Sequence, residues 1–135
     1  MEKNPDKKIE IKYEVSIDTI ASLLCCAFEG GSNYWYYIET FKEPKTLAYK
    51  MDGQDGTTFK HIDYPLNEGG ELEILDMENE RKSYKLNLAV IKKGVKIFAE
   101  QYPWHFANTI SEGNMDAETG DVFLQCCLFG ELIYG

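Results

Sequence analysis

The alternation of apolar and polar positions changes period several times along the chain, and each change marks an element. Lys7 to Glu14 alternates strictly, with Ile9, Ile11 and Tyr13 on one side and Lys8, Glu10, Lys12 and Glu14 on the other. That period of two predicts a half-buried strand. The spacing then becomes three and four: Ile17, Ile20, Ala21, Leu24, Ala27 and Phe28 share one helical face. Ser16 is placed to cap this helix and Asp18 to favour its positive end. Gly30-Gly31 is the expected stop, because glycine takes the left-handed conformation that ends helices cheaply.

Beyond the stop, Tyr34 to Lys42 is β-prone and closes at Pro44. Short strands are expected over Leu47–Met51 and Thr57–Tyr64, separated by Asp52-Gly53 and Asp55-Gly56 turns. Glu71–Met77 and Ser83–Leu88 read as two strands joined by a polar turn at Glu78–Arg81. Asn87 is a candidate cap for a helix with the stripe Leu88, Ile91, Val95, Phe98 and Tyr102. Gly94 costs that helix about 1 kcal/mol relative to alanine, so a close packing contact is expected there. Pro103 suits the start of a short helix to Ile110, and Gly113-Asn114 separates it from a last helix capped by Asp116. The body of that helix, Val122 to Ile133, is apolar on nearly all sides, interrupted by Gln125 and Glu131 and preceded by Asp121. It belongs in the core or against another chain. The sum is one α+β domain over residues 1–135: an antiparallel sheet of four to six strands with three or four helices packed mainly on one face.

Composition narrows the function classes. Net charge is −9 and Arg81 is the sole arginine, so direct nucleic-acid binding and arginine–phosphate pairing are disfavoured. No run approaches the roughly 20 apolar residues of a membrane span, and Met1 to Lys8 lacks the apolar core of a signal peptide. The cysteines form two adjacent pairs, Cys25-Cys26 and Cys126-Cys127, inside apolar runs. Neither a disulfide framework nor a zinc site has that spacing, so reduced, buried thiols are expected. His61 and His105 stand outside any metal-ligand spacing, and no phosphate loop is present. No metal and no cofactor are expected.

Two places could carry binding chemistry. Asn33, Tyr34 and Trp35 follow the glycine stop, where aromatics can stack on a base or sugar and asparagine can read its edge. Asp116, Glu118 and Asp121 put three carboxylates into two helical turns, with capping and dipole stabilisation as the plainer role. The candidate ligand-binding residues are therefore Glu29, Asn33, Tyr34, Trp35, Asp116 and Glu118.

Glu29-Gly30-Gly31-Ser32-Asn33-Tyr34-Trp35 after an amphipathic helix resembles a motif of small phage and prophage accessory proteins. Asp116 to Gly135, preceded by Tyr102-Pro103-Trp104-His105-Phe106, resembles the ending of the same proteins. The resemblance implies a setting, the cytoplasm of a bacterial host, and through it a function. A small acidic protein of that kind is expected to be a non-enzymatic counter-defence factor. It would sequester a nucleotide-like ligand or block a host defence protein, and act as a homo-oligomer without membrane contact. The alternative is a structural or assembly phage protein that oligomerises through its apolar C-terminal helix. An enzyme using His105 with an acidic residue is a further alternative.

Overall fold

The computed structural model describes residues 7–50, 61–111 and 114–135. Among them the architecture is α+β, with a three-stranded antiparallel sheet and four α-helices. Helix α1 (Ile17–Cys26) is capped by Ser16, whose Oγ accepts from the Thr19 amide at 3.2 Å. It runs into a single π-turn (Ala27–Gly31), closed by the Ser32 amide donating to the Ala27 carbonyl at 2.8 Å. The strands β1 (Tyr36–Lys42), β2 (Glu71–Asp76) and β3 (Lys82–Leu86) follow in sheet order β1-β2-β3, with a bulge in β1 at Glu39. The chain ends in α2 (Leu88–Gln101), α3 (Pro103–Ile110) and α4 (Ala117–Phe129).

One face of the sheet feeds the core through Leu72, Ile74 and Leu86, all fully buried. The opposite face is polar over most of its length: Glu73 accepts from Thr40 Oγ1 at 3.2 Å and from Ser83 Oγ at 2.8 Å, and Lys85 pairs with Glu71 at 3.7 Å, while Leu75 stands opposite Tyr37. Helix α4 packs against α1, α2, α3, the π-turn and β3. Every residue from Thr119 to Cys127 is buried, so a mostly apolar run is what this central position demands, and the polar Thr119, Asp121 and Gln125 within it must find partners. Its apolar sides are spent inside its own chain. Gly94 of α2 makes the expected close contact, since a Cβ there would stand 2.2 Å from Cys127 Sγ. Gly130, in the left-handed region at φ 77°, ends α4 four residues before the sequence pattern suggests.

Several expectations fail. Lys7–Glu14 forms no strand; it is an exposed arm, with Ile9 and Ile11 89% and 86% accessible. Its alternation is genuine, but no described strand lies beside it to pair with. Leu47–Lys50 is not a strand either. Asn67 ties it down instead, accepting from the Tyr49 amide at 2.6 Å and donating to the Tyr49 carbonyl at 2.8 Å. His61–Asp63 is a turn and Tyr64–Leu66 a 3₁₀ turn, with Pro65 unable to donate to a ladder. Met51, the two Asp-Gly turns, Thr57–Lys60 and Gly113 lie outside the described residues. The sheet therefore has three strands rather than four to six.

Candidate functional site

Gly30-Gly31 terminates α1 as expected, but for a different reason. Neither glycine has a positive φ. Gly31 is required because a Cβ there would lie 2.0 Å from the Ala117 carbonyl oxygen. Gly120 answers from the other side, where a Cβ would lie 2.6 Å from both the Ala27 amide nitrogen and Cys26 Cβ. The two glycines let the π-turn and the start of α4 meet backbone to backbone. That close seam decides what the next residues can reach.

It brings Asp121, one turn into α4, against the Ser32–Trp35 turn. Asp121 Oδ1 accepts from Ser32 Oγ at 2.7 Å and from Trp35 Nε1 at 2.8 Å, and Oδ2 accepts from Tyr34 OH at 2.7 Å. The carboxylate is 7% exposed and has no lysine or arginine beside it among the described residues. Three donors replace the water it loses, and charge-assisted bonds of this kind are the strong ones. Burial and the Asp121 carboxylate together push the Tyr34 phenol above its ordinary range.

Trp35 is wholly buried, with its ring 5.0 Å from Phe129 and 6.0 Å from Tyr134. The C-terminal segment that covers it is fastened by Gln125. Gln125 Oε1 accepts from the Ile133 and Tyr134 amides at 2.8 Å each, and Nε2 donates to the Tyr134 carbonyl at 3.1 Å. Tyr134 OH then donates to Asp76 Oδ2 at 2.7 Å, which together with burial pushes its phenol up to about 12. Tyr36 OH donates to the Phe28 carbonyl inside the π-turn, and burial raises that phenol to about 12 as well.

The six candidate residues separate. Trp35 belongs to the core, so it cannot offer a face to a base. Tyr34 is different: its hydroxyl is bonded to buried Asp121 while the residue as a whole remains 49% exposed. Asn33 beside it is exposed, as are Glu29, Asp116 and Glu118. Asp116 caps α4, its Oδ1 accepting from the Thr119 amide at 2.8 Å, and that bond holds its carboxyl below the usual range. Glu29 and Asp116 come to one side of the molecule, since both charges act on the Cys26 thiol. Glu118 and Asp121 do not act as a pair: one faces solvent, the other the core. Sequence reasoning missed Ser32, Asp121, Gln125 and Asp76 as network members. The available signal was polar side chains in an otherwise apolar helix, which demand donors or acceptors from somewhere.

Burial pushes Cys25 up to about 11 and Cys126 to about 12, and raises Cys26 and Cys127 too, so no thiol favours the thiolate. His105 Nδ1 is 3.2 Å from Thr119 Oγ1, and the His61 ring lies 4.2 Å from that of Phe41. Among the described residues no three metal-ligating side chains converge, and no helix is long and apolar enough to cross a membrane. Clefts of about 470 and 480 Å³ border Lys42, at the opposite end of β1 from Tyr34. Comparison with protein-family models, curated proteins and solved structures finds no match.

Proposed function

We propose that this is a non-enzymatic, phage-encoded binding protein that counters host defence by blocking a defence protein through the Asn33–Tyr34 ridge. The observation that carries the reading is Tyr34, a half-exposed residue bonded at the hydroxyl to buried Asp121. An aromatic anchor already held in place loses little freedom on binding, and tyrosine is over-represented among the residues that dominate interfaces. Glu29, Asp116 and Glu118 are exposed acidic side chains of a chain whose net charge is −9, which suits a basic partner.

The test is expression in bacteria carrying single defence systems, followed by challenge with a phage each system restricts. Wild-type protein is expected to restore plaques against one system, and Asn33→Ala with Tyr34→Ala to lose that effect while still melting cooperatively. No restoration against any system, or restoration unchanged in the double variant, overturns the reading. Half-exposed Tyr34 also favours a second form, in which a nucleotide-like ligand stacks on it and Asn33 reads the base edge. Thermal-shift measurements with a nucleotide panel separate the two, since the stacking form requires a rise in melting temperature that Tyr34→Ala abolishes.

A further inference from the structure

The exposed arm carries a pattern that its own chain leaves unused. Ile9, Ile11 and Tyr13 share one side of it at 89%, 86% and 57% exposure, and the charged residues share the other. The base of the arm touches the body, where the Tyr13 ring meets Phe106 edge-on at 5.8 Å. Beside this contact a cleft of about 420 Å³ runs along Ile11, Tyr13, Val15 and Val95 to Phe106. Isolated apolar residues at a surface are ordinary, but three in strict alternation would share one face of the segment once it paired as a strand.

The charges say which strand is missing. If the arm lies antiparallel to a second copy of itself with Ile11 opposite Ile11, Lys8 faces Glu14, Ile9 faces Tyr13 and Glu10 faces Lys12. Every charged residue from 8 to 14 then meets its opposite. Moving the centre to Glu10 sets Lys8 against Lys12 and Glu10 against itself. Moving it to Lys12 sets Glu10 against Glu14 and Lys12 against itself. In-register parallel pairing opposes like charges throughout, and shifts of a single residue set apolar positions against charged ones. Opposite charges directly across a pair are favourable and like charges unfavourable. Parallel pairing shifted by two residues also opposes lysine to glutamate but is not two-fold symmetric, and antiparallel registers centred on Ile9 or Tyr13 match fewer of residues 8–14, so the closed pair that the charges favour most is centred on Ile11.

We infer that residues 8–14 form an intermolecular antiparallel strand pair with a second copy of this chain, centred on Ile11. The two-stranded ribbon presents Ile9, Ile11 and Tyr13 of both copies on one face, toward the clefts that border Tyr13 and Val15. A two-stranded ribbon alone is marginal in water, so the clefts along α2, where Val95 and Ile91 lie among Lys92, Lys96 and Glu100, supply the surface it packs on. This inference is independent of the Asn33–Tyr34 reading.

Charge swaps test it in the full chain. Glu10→Lys and Lys12→Glu each oppose like charges at two symmetric places in a homodimer, so each is expected to weaken self-association about ten-fold or more. An equimolar mixture of the two restores opposite charges at both places and is expected to dimerise like wild type by sedimentation velocity at low salt. The arm lies outside the core, so both variants should keep the wild-type melting temperature. Ile11→Cys gives a second reading: the two cysteines face each other on the axis and should form an inter-chain disulfide under mild oxidation, whereas Ile9→Cys, which faces Tyr13, should not. A wild-type monomer at a few hundred micromolar overturns the inference. So does a dimer unaffected by either swap, which would mean that the arm engages another surface.

Discussion

Asp121 sets the geometry at the scale of single residues. A carboxylate buried without a cation persists only if donors surround it, and Ser32, Tyr34 and Trp35 supply three. Replacing it with alanine strands the Trp35 N–H and the Ser32 hydroxyl in the core, so Asp121→Ala is expected to cost about 3 kcal/mol or more. Asp121→Asn should cost much less. Its carbonyl oxygen serves Ser32 and Trp35, and its amide can donate to a turned Tyr34 hydroxyl. Urea titrations of the two variants measure the difference, and equal losses would contradict the network. None of this was legible locally, because donors and acceptor stand 86 to 89 residues apart. What the sequence did show was each half of the problem: an acid at the head of an apolar helix, and a polar, aromatic turn with no evident role.

At the scale of elements, the caps and stripes were readable because they are local. Ser16, Asn87 and Asp116 each accept the amide three residues on, at 3.2, 3.0 and 2.8 Å. Asp116→Ala should cost about 1 kcal/mol at neutral pH. Because the folded state holds this carboxyl below its unfolded value, its contribution is present above the unfolded pKa. It fades as pH falls through the folded pKa, so wild type and variant should converge in acid, which melts from pH 7 downward would show. Element ends were less readable where neighbours decide them. The π-turn ends at Gly31, where only a residue without a Cβ can meet the Ala117 carbonyl, a neighbour 86 residues away. Gly94→Ala tests the same logic on α2. Alanine is the better helix former, yet its Cβ would press on Cys127, so a net loss of about 2 kcal/mol is expected by thermal or urea melting. The arm was misread because alternation reports a strand's pattern and cannot supply a strand to pair with, and none of the described strands lies beside it.

At the scale of the whole molecule, three phenols bind the sheet, the turn and the C-terminal segment together: Tyr36 to Phe28, Tyr134 to Asp76 and Tyr34 to Asp121. All three are raised above an ordinary tyrosine, Tyr36 and Tyr134 to about 12. The unfolded chain releases these protons near pH 10, whereas the folded chain retains them. Stability from this source is therefore complete below about pH 10 and lost as pH rises from there through about 12. Absorbance at 295 nm should show tyrosine ionisation delayed and then cooperative with unfolding. Tyr134→Phe should make the alkaline loss less steep.

The position of α4 has a consequence for how the chain is made. The helix that α1, α2 and the Trp35 turn all pack upon is residues 117–129, far downstream of most of its partners. A ribosome delivers those partners first. Until α4 emerges, α1 has no seam for Gly31 to close against and Trp35 has neither its carboxylate nor Phe129. The apolar face of α1 and the aromatic turn must therefore wait, exposed, through most of translation, and the domain folds as a unit only once its central helix has been synthesised.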